Sequence, residues 1–329
     1  MKPIYLFLLT LGATFALTAI AERILIPILR AHKIGQYIFD LGPRKHKDKE
    51  GTPMMGGIGF ILAILVVLLV RIIVMAVEKR APEDIPLVLT IAYGVANGIV
   101  GFVDDYNKLV KKQGEGLTRT QKLVLQFVLA AAYLAVMGYT GFYPTDWKLP
   151  FTDSVWHLGW AAYPLGAILL VGVVNAGNIN DGIDGLFSSV VLIDAVYYAV
   201  LAFVLSSEQL LLPSAMLIGA AAGFLLFNFH PAKVFMGDTG SLFFGGVLIA
   251  LAFQAGDPIG GLLVMLPVIF EMLTSLLQIL FFKLTKKRLF SIAPFHHALQ
   301  ETHGWNEYQI VALFDLLSIL FCVLAWISR

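Results

Sequence analysis

A single cysteine, Cys322, occurs among 329 residues, which excludes a disulfide framework and a cysteine-based metal site. It reads as a small lipid-facing or packing residue. Charge is scarce too: 14% of residues are charged and 58% hydrophobic, whereas a soluble domain averages about 25% charged. That imbalance excludes an ordinary soluble globule and points to lipid as the solvent. There is no Walker A pattern, no repeat with a period in the usual solenoid range, and no Pro/Ser-rich linker. The expectation is one transmembrane domain over 1–329, with no nucleic-acid partner.

What the chain does have is long apolar runs, each sufficient to cross about 30 Å of hydrocarbon as a helix. Bounded by charge, Gly or Pro, they predict an all-α polytopic membrane protein with helices near 4–29, 56–77, 86–103, 122–140, 160–176, 186–206, 210–228, 240–254, 259–283 and 308–327. The first run, with Ala19-Ile20-Ala21, imitates a secretory signal, but it resumes at Ile24 and reads more simply as one long helix. In the ninth, Pro267 predicts a kink, and Glu271, Thr274 and Gln278 set a polar stripe at helical spacing. The odd-numbered loops hold sixteen Lys and Arg against four in the even-numbered loops. The positive-inside rule then puts the odd loops in the cytoplasm and both termini on the periplasmic or extracellular side.

Five polar clusters fall at the odd loops. Asp104-Asp105-Tyr106 ends the third run; an acidic pair at a helix C-terminus opposes the macrodipole, so a bound cation or a proton-accepting role explains it better than a solvated helix end. Asn178-Ile179-Asn180-Asp181-Gly182-Ile183-Asp184-Gly185 joins the fifth and sixth runs. It fails as an EF-hand loop, and either a plain turn or oxygen ligands for a ribose, base or metal fits it. Asn228 and then Phe235-Met236-Gly237-Asp238-Thr239-Gly240-Ser241 lead into the eighth run. There the helix start favours phosphate and Asp238 can hold a divalent cation, while a simple N-cap by Asp238, Thr239 or Ser241 is the plain alternative. Ala293-Pro294-Phe295-His296-His297 follows Lys286-Lys287-Arg288, which suits phosphate binding or proton transfer. The basic segment from Arg44 to Lys49 precedes Gly51-Thr52-Pro53-Met54-Met55-Gly56-Gly57, where headgroup contact is the plain reading.

Their common sidedness binds these clusters together. A single cytoplasmic site with Asp104, Asp105, Asp181, Asp184, Asp238, His296, His297 and several lysines reads as a magnesium-assisted phosphate site, where a soluble phosphorylated substrate meets a membrane-held one.

The ordered motifs resemble those of the phospho-N-acetylmuramoyl-pentapeptide transferases (MraY), within the polyprenyl-phosphate N-acetylhexosamine-1-phosphate transferase superfamily. The resemblance covers nearly the whole chain: His46 with Lys49 and the Gly51–Gly57 segment, Gly101-Phe102-Val103-Asp104-Asp105-Tyr106, 178–185, 235–241, 293–297 and Gly304-Trp305-Asn306-Glu307. It implies ten helices, a homodimer in the bacterial cytoplasmic membrane, and Mg²⁺-dependent transfer of phospho-N-acetylmuramoyl-pentapeptide from its UDP donor to undecaprenyl phosphate, giving lipid I and UMP in peptidoglycan synthesis. By the same resemblance Asp238 is a magnesium ligand, Asp104 and Asp105 belong to the catalytic and metal centre, and His296 and His297 lie near the phosphates. Asn178, Asp181, Asp184, Asn228, Phe235, Gly237 and Gln278 match substrate-binding positions, and Lys49, Lys108, Lys112 and Lys122 match the basic residues. Two positions depart from the family's histidine motif, with Ala298 where a third histidine is usual and Gln300 where Glu is usual; Asn180 and Met54 each stand where Thr is usual. A sister transferase moving another N-acetylhexosamine-1-phosphate is the alternative enzyme. An ion-coupled transporter or lipid-binding scaffold is the alternative of another class, and it would place its polar residues near mid-membrane.

Overall fold

The computed structural model describes residues 2–32, 35, 51–109 and 116–329. Its helices are α1 (Pro3–Ala31), α2 (Gly57–Val77), α3 (Ile85–Leu109), α4 (Arg119–Tyr139), α5 (Ala162–Asn180), α6 (Leu186–Leu205), α7 (Glu208–Asn228), α8 (Gly237–Gln254), α9 (Pro258–Val264), α10 (Leu266–Thr285), α11 (Phe295–Glu301) and α12 (Glu307–Ile327). All but the short α9 and α11 are long and apolar enough to cross a membrane, which makes ten such helices among the described residues. Between α4 and α5 a hairpin pairs β1 (Asp146–Lys148) antiparallel with β2 (Val155–His157). The all-α polytopic expectation therefore stands.

Helix α8 is the axis of the bundle. It is rich in Gly and small residues, almost every one of its side chains is buried, and α3, α5, α2 and α9 surround it. A helix enclosed by protein escapes the demand for a lipid-compatible surface, so Thr239 and Ser241 can sit on it without facing hydrocarbon. By contrast α2, α10 and α12 leave long aliphatic rows exposed, as lipid-facing helices do.

The contact between α3 and α8 is built on Gly94, Gly98 and Gly101, spaced so that they share one face of α3. A side chain at Gly101 would collide with the backbone carbonyl of Asp238, and one at Gly94 with Val247. Continuing that face by one more turn brings Asp105 onto the first turn of α8.

Several element ends differ from the sequence expectation, each for a physical reason. Helix α3 runs on past 103 to Leu109, because both aspartates near its end bond to groups outside the helix and Lys108 complements the macrodipole. Helix α4 begins at Arg119, where Thr118 and Gln121 form a reciprocal capping box, their side chains accepting from each other's backbone N–H at 3.2 and 2.9 Å. Three of the eight residues of the 178–185 segment are helical, since α5 continues to Asn180. The expected ninth helix breaks outright at Met265, with Pro267 in the first turn of α10, where a missing N–H costs nothing. Cys322 is buried, its thiol 3.8 Å from Asp194 Oδ1, so of its two readings packing is the one observed.

Because the obstacle at Gly101 is backbone, it cannot yield, whereas at Gly98 the nearest atom is the mobile Cδ1 of Ile61 at 3.1 Å. Gly101→Ala is expected to cost about 1–3 kcal/mol and Gly98→Ala less than about 1 kcal/mol. Thermal unfolding of the two variants in detergent measures the order, and a reversed order contradicts the packing.

Candidate active site

Helix α8 begins without a capping side chain of its own: the residue before it is Met236, in helical conformation. The first turn is capped from α3 instead. Asp105, 1% exposed, accepts the Asp238 N–H at 3.2 Å through one oxygen, and through the other the Thr239 N–H at 2.9 Å and the Thr239 hydroxyl at 2.7 Å. Gly237, at φ +70°, turns the chain into the helix, and a Cβ there would lie 2.6 Å from Asp105 Oδ2. The plain expectation that Asp238, Thr239 or Ser241 caps α8 is therefore not what is found. Asp238 is left free to aim its carboxylate elsewhere.

That carboxylate meets two lysines and an amide. Asp238 Oδ2 lies 2.6 Å from Lys122 Nζ and 3.4 Å from Lys108 Nζ, while Oδ1 accepts from Asn178 Nδ2 at 2.8 Å. Asp104, fully buried, pairs with Lys108 one turn on along α3 and with Lys122 at 3.2 Å, and its other oxygen accepts the Leu117 N–H at 2.6 Å. Asn178 Nδ2 also lies 2.8 Å from Ser241 Oγ. The capping box that starts α4 at Arg119 places Lys122 in its first turn, over both acids.

Asp104, Asp105 and Asp238 each present an oxygen within 4.8 Å of the others, with two ammonium groups among them. One negative charge is thus in excess among the described residues. Carboxylates so close repel strongly unless cations share them. A hard all-oxygen donor set of this kind suits a small divalent cation, and the two lysines suit the oxygens of a phosphate.

The 178–185 segment carries this centre to a second one. Asp184 accepts from His230 Nδ1 and the Ala232 N–H, both at 3.0 Å, and its own N–H donates to Glu307 at 3.1 Å. Asn228 holds the segment by accepting from Gly185 N–H at 3.2 Å and Ser188 Oγ at 2.9 Å while donating to the Val234 carbonyl at 3.0 Å. Beside it opens a cavity of about 380 Å³ lined by Thr52, Asp184, His230, Phe235, Trp305 and Glu307, among others. A half-buried phenylalanine in a polar cleft provides a stacking face. Gly182 abuts the imidazole of the fully buried His296, whose N–H donates to Glu271 at 3.1 Å and whose Nδ1 lies 3.2 Å from the same carboxylate. His297 is partly exposed, its ring centroid 4.3 Å from that of His296, and Ala298 is buried.

Of the sequence-derived site residues, Asp104, Asp105, Lys108, Lys122, Asn178, Gly237 and Asp238 thus form one contact network. Asp184, Asn228 and Phe235 belong to the adjoining cavity and its support, and Asp181 ends α5 between the two. Gln278 is set apart, its carbonyl oxygen accepting the Leu289 and Phe290 N–H groups at 3.0 and 2.8 Å and so pinning the loop after α10. Lys49 and Lys112, like His46, lie outside the described residues. His230, Thr239 and Glu271 carry more of the geometry than their sequence context signals: nothing local tells that His230 meets Asp184, or that Thr239 meets Asp105.

If Asp105 acts through Thr239, Asp105→Asn and Thr239→Val are not independent. Each is expected to lower stability by about 1–2 kcal/mol, and the double variant by less than the sum, with a coupling of at least about 0.5 kcal/mol. Additive losses in denaturant or thermal melts contradict the contact.

A family model, glycosyl transferase family 4, matches residues 87–256. A protein of Bacillus subtilis strain 168 named phospho-N-acetylmuramoyl-pentapeptide-transferase is 40% identical over 326 residues, covering 98% of this chain and 97% of its own. One of the same name from Caldicellulosiruptor bescii is 39% identical over 319 residues, covering 97% and 96%.

Proposed function

The chain belongs to glycosyl transferase family 4 and, within it, to the phospho-N-acetylmuramoyl-pentapeptide transferases, and from that premise we propose how its acid and lysine cluster works. The reaction moves phospho-N-acetylmuramoyl-pentapeptide from its UDP donor to a polyprenyl phosphate, here taken as undecaprenyl phosphate, giving lipid I and UMP. A phosphate oxygen of the lipid attacks the β-phosphorus of the donor. The bond from that phosphorus to the bridging oxygen breaks, and UMP leaves with the oxygen.

The observation that carries this reading is the charge-balanced contact of Asp104 and Asp238 with Lys108 and Lys122. Both lysines hold carboxylates that an incoming diphosphate can replace as partners, so the site binds anions without leaving an ammonium bare. Asp238 and Asp104 fit Mg²⁺ by their hard oxygens and proximity, whereas Asp105 is committed to the start of α8. When bound, the ion supplies charge neutralisation to the diphosphate. Lipid phosphate is already anionic near neutral pH, so Asp104 contributes more by holding the cation and the two lysines in place than by taking a proton. Asn178, fixed between Asp238 and Ser241, holds the Asp238 carboxylate in orientation.

Phe235 and the cavity beside Asp184 suit the uridine, with stacking on the ring and polar groups for the base and ribose. His296 and His297, both on α11, are taken as partners for phosphate on the motif resemblance. The roles of Lys49, Lys112, Asp181 and Gln278 rest on the motif resemblance, as does a homodimer. The Lys and Arg asymmetry supports a cytoplasmic site with both termini on the other side, and the motif resemblance supports the bacterial inner membrane and a single transmembrane domain. A transporter reading is disfavoured, because these polar groups gather at helix ends, not at mid-span.

Purified protein supplied with UDP-N-acetylmuramoyl-pentapeptide, undecaprenyl phosphate and Mg²⁺ is expected to release UMP and form lipid I. EDTA abolishes both and Mg²⁺ restores them. Asp238→Asn loses at least about a hundredfold in rate. UMP release that ignores EDTA, or an Asp238→Asn enzyme of undiminished rate, contradicts the assignment.

A further inference from the structure

At the end of the bundle remote from the acids, residues 140–161 connect α4 to α5 through the β1–β2 hairpin. The hairpin is fastened to the helix ends beneath it. Trp147, 2% exposed, is its plug: the indole N–H donates to the Pro144 carbonyl at 3.0 Å and the ring meets Phe253 of α8 edge-on at 6.3 Å. Lys148 donates to the Arg329 carbonyl, and the Phe151 N–H to that of Ser328 at 3.4 Å, which ties the hairpin to the end of α12.

Exposed rings gather around it, with Trp156 on the same face of the hairpin as Trp147 by the strand register. Trp160 is 81% exposed and Tyr139, at the end of α4, 94%, with Trp156, Phe151 and Trp326 also exposed. In water each such ring forfeits about 1.5–3 kcal/mol that burial would gain. The same helices carry exposed aliphatic residues one turn or so from these rings, Val136 on α4, Leu165 on α5 and Val323 on α12. Polar groups alternate with the rings: Asp146, Lys148 and His157 on the strands, with His157 3.1 Å from Asp146. Rings with an apolar body and a polar edge, interleaved with charge at the limit of a lipid-facing surface, match the composition of a headgroup layer.

We propose that the hairpin lies in the headgroup layer of the lipid leaflet on that side, with Trp156, Trp160 and Tyr139 as anchors, so that lipid and not a second protein covers this surface. Trp160 stands two residues before α5 begins at Ala162. The anchor therefore fixes the depth of the rigid helix whose other end presents Asn178 to Asp238.

The full chain in phospholipid vesicles tests this through its tryptophan emission. The part that disappears in Trp160→Phe, and separately in Trp156→Phe, reports each ring. That part is expected to be quenched at least about twofold more by phospholipid brominated near the glycerol end of its chains than near the terminal methyl, and to resist iodide in the water phase. Quenching by iodide with no response to brominated lipid overturns the proposal, because the hairpin then stands in water. Protection from both quenchers also overturns it, since a protein surface then covers the rings.

Discussion

One carboxylate holds the site together. Asp105 replaces the cap that α8 lacks, and in doing so fixes the first turn of the most enclosed helix in the bundle against the last turns of α3. Four donors at the start of any helix need partners, and inside a membrane protein no water substitutes cheaply for them. Because the cap comes from a neighbouring helix, it also fixes the relative position of the two helices. Asp104 and Asp238 inherit that position. The glycine face of α3 makes it reachable, since any side chain at Gly101 would push α3 away from the backbone that Asp105 must grip.

Around this clamp the electrostatics are arranged for exchange. Lys122 and Lys108 satisfy acids that would otherwise repel, yet a phosphate can replace the acids as partners of the lysines, and a divalent cation the lysines as partners of the acids. Lys108 is partly exposed and Asp104 wholly buried, so the cluster has a dry floor and a wet rim. Asn178 and Gly182, four residues apart, touch Asp238 and His296 respectively, while Asp184 lines the cavity beside Phe235 and Gly185 is held by Asn228. A segment of eight residues thus links the parts that a nucleotide donor has to span.

Much of this was legible in the sequence, for definable reasons. Ten apolar runs are a strong signal because hydrocarbon tolerates little else, and the break near Pro267 follows from its missing N–H. The acids Asp104, Asp105 and Asp238 stood out because carboxylates beside long apolar runs need a reason. The division of labour among them did not: Asp105 and Asp104 are adjacent and chemically identical, and only the path of α8 tells which one caps a helix. Nor could spacing show that His230 meets Asp184 or that Glu271 meets His296, since those partners lie 46 and 25 residues apart and meet through tertiary packing. At α3 and α8 the sequence expectation stops short of the helix end because the partner groups there come from other elements, which local sequence does not show.

The proposed mechanism takes Asp104 and Asp238 as the cation ligands, and a second acid and histidine group, Asp184, His230 and Glu307, is the competing candidate among the described residues. Anomalous diffraction from crystals soaked in Mn²⁺ separates them directly. A single peak between the carboxylates of Asp104 and Asp238, with Lys122 moved off Asp238, is the expected result. A peak at Asp184, His230 and Glu307 instead, or an undisturbed Lys122–Asp238 contact in fully soaked crystals, would contradict it.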